Sequence, residues 1–494
     1  MRQTLCGTAA IMIVAGSIQP GCSSSKGAKG PIACTVQATA STSAKIPTVG
    51  IVTFTTSLAD VQSATIDFGL SSAYGMTAPV DLAQPGHRTL LLGMKASKTY
   101  HYRITVSTSA GSCQGADDTI TTGAVADGLP SVVLAPPAAS ATGLSGGFLI
   151  SGQFAVGASA GASAYILDAD GDYVWWFKID GDVSNAQMSY DGSHLWINSV
   201  NAGGGMGMDS TRVHRVSMDG LVDEDLSDKL AGQNHQLTIE PDETVAFYAH
   251  GSNGCDDLKE YDPGTGVVRT IVNAQTAQQL DTGTMCHLNN IQYSKLDDTL
   301  VFSDLDSNAI VKVRRTDGSV VWNLNGAHRT FDGVPWTGGQ HGIHLIDLGH
   351  ILFFANNNAG TLGMPGGLGD AGIPDGGFPD GGLPEGGIPD GAFPGGAGGD
   401  GGGSGSSALE LVLDSAAMTA TPVWSYTANP AIANMVMGDV QRLPNGNTVV
   451  AFSTRGVLHE VRADGSLLQS WTWPAGSTFG YIEKRSTLYG PPPR

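Results

Sequence analysis

Three histidines hold the same place in a recurring hairpin. His235 precedes Gln-Leu-Thr-Ile, a Pro-Asp-Glu turn and Val-Ala-Phe-Tyr-Ala-His250. His287 precedes Leu-Asn-Asn-Ile-Gln-Tyr, a Lys-Leu-Asp-Asp turn and Leu-Val-Phe-Ser303. His341 follows Gln340 and precedes Gly-Ile-His-Leu-Ile, an Asp-Leu-Gly turn and His-Ile-Leu-Phe-Phe-Ala-Asn. Asp439 and Asn185 stand at the matching position of two further units. A neutral imidazole is a competent nucleophile and proton carrier near neutral pH, so histidines converging on one point could run covalent group transfer. Convergence requires the units to surround an axis. His344 and His350 fall within strands and read as structural.

The elements that must position these residues are short strands between turns. Asp-Gly or Asp-Pro turns recur at Asp170, Asp219, Asp262, Asp317 and Asp464, with Asp414 serving an equivalent turn. Their spacing of roughly 50 residues, one insertion apart, is a propeller period. Six such turns predict a six-bladed β-propeller over residues 143–489, four strands to a blade. Trp175, Trp176, Trp322, Trp424 and Trp471 suit packing between blades. Gly147–Ser151 lacks a first strand and Phe479–Lys484 lacks a second. Their pairing would close the ring and remove both sheet edges.

The 494-residue chain carries a formal charge of −20, which excludes a nucleic-acid partner. Its 69 glycines and absence of long helical periodicity fit an all-β protein. Residues 359–407 form a Gly/Pro/Asp-rich insertion too poor in apolar residues to bury a core, read as a disordered, solvated linker. Asp168-x-Asp170-Gly171-Asp172 and Asp304-x-Asp306-x-Asn308 suggest calcium loops. Ile179 and Arg315 stand where the twelfth-position acid belongs, so no metal is expected. No cofactor motif is present.

Met1-Arg2, the apolar run Leu5–Ile18 and Gly21-Cys22 resemble a bacterial lipoprotein signal peptide over residues 1–22, with Cys22 lipidated and residues 23–31 a tether. The expectation is an exported protein, lipid-anchored to the cell envelope. Export leaves Cys34, Cys113, Cys255 and Cys286. Four cysteines allow three pairings, and the simplest, within domains, joins Cys34 to Cys113 and Cys255 to Cys286. Residues 32–125 alternate as in a β-sandwich. The Thr99-Tyr100-His101-Tyr102-Arg103-Ile104-Thr105-Val106 strand resembles that of fibronectin type III-like domains. Residues 126–142 read as a linker.

Asn234-His235-Gln236, Cys286-His287-Leu288-Asn289, Gln340-His341-Gly342 and Gly438-Asp439 through Asn447 together resemble the arylsulfate sulfotransferase family. The likeness spans about residues 143–489. It implies transfer of a sulfuryl group from a phenolic sulfate ester to a phenolic acceptor, without a nucleotide sulfate donor. It also implies a sulfohistidine on His341, with His235 and His287 binding the sulfate. Asn289 and Gln340 are candidate supporting residues. The family places an arginine, in a Ser-Arg pattern, where this chain has Ser303-Asp304. Arg455, ending the corresponding strand of another unit, is the candidate replacement for substrate binding, with His250 a further candidate for that cation. The alternative is a surface-anchored propeller that has lost catalysis and binds a ligand or partner.

Overall fold

Runs of Val, Ile, Phe and Tyr broken every few residues by Asp, Asn and Gly have one stable outcome: short antiparallel strands stacked in sheets. The computed structural model describes residues 30–136, 142–154, 162–200, 211–332, 339–357, 405–434 and 436–491. The signal segment with Cys22, most of the tether and nearly all of the 359–407 insertion lie outside the described residues.

Residues from Val36 to Thr121 form two facing sheets, one of Val36–Thr42, Gly50–Thr56 and Thr89–Leu91, the other built on Val61–Gly69 and Thr99–Thr108. Tyr100, Tyr102, Ile104 and Val106 alternate inward against Val52, Phe54, Ile66 and Phe68. The Cys34–Cys113 disulfide ties the first segment to the far sheet.

Six antiparallel sheets then follow among the described residues. The second to sixth are each built in chain order, beginning with an innermost strand: Asp182–Met188, Gln233–Ile239, Leu288–Ser294, Gln340–Leu345 and Asp439–Arg442. The first sheet is closed from both ends of the chain. Phe148–Phe154 pairs with Glu483–Arg485 and Thr478–Phe479, the closure anticipated from the unpaired segments.

Polar side chains on the innermost strands join one sheet to the next. The Ser184 hydroxyl donates to His235 O (2.8 Å). Gln236 Oε1 accepts from Ile291 N (3.1 Å), and Asn290 Oδ1 from Ile343 N (3.1 Å). His344 Nδ1 accepts from Arg442 N (2.9 Å), Gln441 Oε1 from Lys484 N (2.7 Å), and Glu483 Oε2 from Met188 N (3.0 Å). The circuit returns to its start, so the sheets form a ring about a channel. It also explains His344, which burial holds neutral at about 4 and which spends its lone pair as an acceptor.

Between the sheets lie the expected tryptophans. Trp175 packs with Ile150, Val183 and Ile197, Trp322 with Phe331 and Phe353, and Trp471 with Trp176 and Leu458. The stretch read as a linker contains a strand: Val133–Ala135 pairs with Leu467–Thr472 and covers the outer edge of the sixth sheet. An exposed edge is prone to pairing with other chains, and a three-residue strand suffices to cap it.

The two-sheet unit docks on the ring. Thr48 Oγ1 donates to Val174 O (2.7 Å), and the Tyr489 hydroxyl donates to Leu90 O (3.0 Å). Asp168, Asp170 and Asp172 do converge, but around the Lys95 ammonium of the two-sheet unit, at 3.1, 2.6 and 2.7 Å.

Candidate active site

At one level of the ring the innermost strands lose register. The pairing shifts between Val183 and Asn185, Gln233 and Leu237, Leu288 and Asn290, and His341 and His344. A bulge inserts an extra residue and re-aims side chains, and here it turns the first residues of successive strands into the channel. His235 sits in the bulge at φ +44°, a conformation rare for a residue with a Cβ. Gly342 has φ +52°, and a Cβ there would lie 2.3 Å from Asp439 Oδ1, so only glycine lets the two strands meet beside His341.

Three of the histidine positions come together as expected. His235 Nε2 and His287 Nε2 are 3.2 Å apart, so the pair shares one proton, one ring donating and the other accepting. His341 Nε2 lies 3.3 Å from Asn289 Nδ2. His287 is exposed at the mouth, whereas His341 is buried.

The tautomer of His341 follows from its neighbours. Asn356 Nδ2 donates to Asn434 O (2.7 Å) and Met437 O (2.9 Å), so its Oδ1 must face His341 Nδ1, 2.7 Å away. Nδ1 therefore carries the proton and Nε2 the lone pair. Burial, with the nearby His287 adding, lowers His341 to about 4 against the opposing Asn356 bond, which leaves it neutral at pH 7. His235, deep among protein atoms though partly open to the channel, is lowered well below the usual imidazole range by burial, then by His287 and His341.

Asp304, which stands where the resemblance leads one to expect arginine, does not face the chamber. It is fully buried, and its carboxylate accepts from His287 N (2.9 Å), Gln278 Nε2 (2.7 Å), Ser307 Oγ (2.8 Å) and Asp306 N (3.2 Å). Asp256 likewise accepts from Leu288 N (3.2 Å), so two carboxylates hold the backbone that presents His287. Burial raises Asp256 above the usual carboxylate range.

The remaining expected residues are peripheral. Gln340 braces the neighbouring sheet, its amide donating to Asp304 O (2.9 Å) and Ala309 O (3.2 Å). His250 pairs with Asp256 at 3.2 Å. Arg455 is exposed in the turn Ser453–Arg455, with Nε donating to Ala433 O (2.6 Å). Asn356 and Tyr481 were not foreseen. Asn356 lies two residues past Phe354, the cross-strand partner of His341, and so on the same face; hairpin register alone could have found it.

Cys255 and Cys286 are joined, their Cα atoms 4.5 Å apart, so the rim loop before Asp256 is tied to the residue preceding His287. The closed loop of 31 residues corresponds to about 3–4 kcal/mol by chain-entropy reasoning. Displacing a reacting group by ~1 Å can cost ~100-fold in rate. Cys286→Ser, or reduction of this disulfide, is therefore expected to lower any activity that uses His287 by roughly ten-fold or more. The accompanying drop in melting temperature should be the smaller effect, as a melt and a rate assay on the same sample would show.

The ring of four- and five-stranded sheets with its chamber at one mouth defines a β-propeller. Residues 274–471, which hold His287, Asn289, Asp304, His341 and Asn356, match the family model described as arylsulfotransferase (ASST). No curated protein matches the chain in sequence. Similar solved structures include TolB from Acinetobacter baumannii, at 13% identity over 79% of this chain and 81% of that one, TM-score 0.41. AztD from Citrobacter koseri is 12% identical over 66% of this chain and 81% of its own, TM-score 0.31.

Proposed function

We propose that the protein moves a sulfuryl group from a phenolic sulfate ester to a phenol through a sulfohistidine at His341. The observation that carries this is the fixed Nε2 lone pair of a neutral, buried His341 beside two further imidazoles. His341 Nε2 attacks sulfur, the S–O(aryl) bond breaks, and its electron pair leaves on the phenolate. The intermediate carries Nδ1–H and an Nε2-bound sulfuryl, neutral overall. A proton from the His235–His287 pair neutralises the phenolate. An acceptor phenol then attacks sulfur, the S–N pair returns to Nε2, and the phenolic proton goes back to the histidine pair.

Asn289 Nδ2 and the histidine N–H groups would stabilise the equatorial oxygens as charge shifts among them. Neutral donors replace an arginine in this scheme, and the anionic ester favours protonation of one imidazole when it arrives. Anchoring through a lipid on Cys22 would place the reaction at the cell envelope. Release of 4-nitrophenol from 4-nitrophenyl sulfate, dependent on added phenol and matched by phenyl sulfate formed, tests the reading. A ligand-binding propeller without catalysis is the second reading, favoured by Asp304 in place of the family arginine. It predicts that the aryl sulfate binds without turnover.

Arg455 would then supply long-range attraction for the donor from the rim. Exposed charges contribute little, so Arg455→Ala is expected to raise the KM for donor by only about three-fold, with kcat nearly unchanged. An unaltered KM at low salt would remove Arg455 from the site.

A further inference from the structure

Tyr481 lies on the segment that closes the ring, yet its hydroxyl donates to Asn289 O on the fourth sheet, three places round the circuit. The side chain therefore crosses the channel. It is fully buried, with its ring centroid 6.4 Å from that of His341. Its backbone is held by Ser184 O (2.8 Å from Tyr481 N) and by the Ser151 hydroxyl (2.9 Å from Tyr481 O). A Cβ on Gly480 would lie 2.3 Å from Ser184 O, so glycine is what lets this segment press into the channel. The hydroxyl is held protonated, raised well above the usual phenol range by burial and further by Asp439.

Beneath that level is a cavity of about 420 Å³. Its wall includes Gln236, Ile291, Ile343 and Ile482, one or two residues along from His235, Asn289, His341 and Tyr481, and on two other strands it reaches Asn185 and Asp439, level with the histidines. Asn185 Oδ1 and Gln187 Oε1 are unsatisfied by protein donors on this wall. A polar cavity of that size has room for on the order of ten waters.

We propose that Tyr481 is the floor of the histidine chamber, separating the sulfuryl group from water in the lower cavity so that transfer to phenol prevails over hydrolysis. The proposal rests on the sulfohistidine reading. With phenol seated above, a water from below is the competing acceptor. Its oxygen would attack sulfur, the S–N pair would return to His341, and hydrogen sulfate and one proton would be released. Excluding water from reactive intermediates is a general function of closed sites.

The test uses the full chain with 4-nitrophenyl sulfate and phenol, comparing inorganic sulfate with phenyl sulfate formed. Tyr481→Ala is expected to raise the hydrolysed share roughly ten-fold. Tyr481→Phe, which keeps the ring, should preserve the product ratio whatever its rate. A second readout needs no turnover: the pH midpoint of C2-hydrogen exchange at His341, measured by the mass of its peptide. The titratable groups around that ring are His235 and His287 across the chamber, Tyr481 beneath and Asp439 beyond Gly342. Hydration from below should move the midpoint upward from about 4 in Tyr481→Ala and leave it in place in Tyr481→Phe. If Tyr481→Ala does not fold, Tyr481→Leu, too short to reach Asn289, carries the same expectations. An unchanged ratio with an unchanged midpoint overturns the proposal, as does equal leakage in the Phe variant. A shifted midpoint in a protein inactive from the start would uphold the floor and overturn the sulfuryl-transfer reading instead.

Discussion

His341→Asn is expected to abolish sulfuryl transfer, by on the order of 10⁴-fold or more, the scale on which losing a covalent nucleophile acts. Asparagine can still meet Asn356 from the Nδ1 side, so the hairpin should keep its shape while the Nε2 lone pair disappears. Donor binding should survive, because His235, His287 and Asn289 remain. The companion measurement is the mass of the peptide containing residue 341 after exposure to donor. It should gain an acid-labile sulfuryl group in the wild type and none in the variant. Undiminished turnover would sink the assignment. The same lone pair fixes the acid limb: His341 protonates only as pH falls through about 4, so turnover should persist to that point and then drop. Unfolding must be separated from this loss. Buried histidines held neutral in the fold but titrating near the ordinary 6.5 when unfolded contribute stability that begins to fade as pH falls through 6.5 and is gone at about 4. Fluorescence at each pH distinguishes the two.

Much of the arrangement was legible because it is written as pattern. Hairpins with a polar turn every half-unit, tryptophans at blade faces and two unpartnered strands at the ends led to the ring and its closure. The cysteine pairs followed from export and proximity within domains. What escaped is what depends on the third dimension. The bulges that aim His235 and His341 leave no mark in a strand-like sequence beyond Gly342. Val133–Ala135 was hidden in a Pro/Ala-rich stretch, since a strand that only caps an edge needs no apolar alternation. Tyr481 sits far along the chain from His341 and reaches Asn289 only because the ring closes. Asp304 shows the limit most clearly, for its residue type suggested repulsion of a sulfate, and only its direction reveals its task.

Restoring the arginine that the family pattern would place at Asp304 is accordingly expected to damage the protein. The position is fully buried, and all four polar groups turned toward the carboxylate are donors: the His287 and Asp306 backbone N–H groups, the Gln278 amide and the Ser307 hydroxyl. A guanidinium offers donors alone, so Asp304→Arg would set donors against donors and bury a charge without a partner. Breaking a buried charged network of this kind costs about 3–5 kcal/mol. Asp304→Asn keeps the shape but replaces one acceptor oxygen with an amide donor, and should lose less, about 1–3 kcal/mol. Because Asp304 holds the His287 N–H directly, turnover should fall alongside the melting temperature in both variants. Asp256 retains its grip on Leu288, so the strand should remain in place while His287 loosens. Thermal melts and donor kinetics on the three proteins give the order wild type, Asn, Arg for both quantities. An arginine variant that melts like the wild type and turns over faster would mean that this site wants a cation and that Asp304 is a lesion, not a brace.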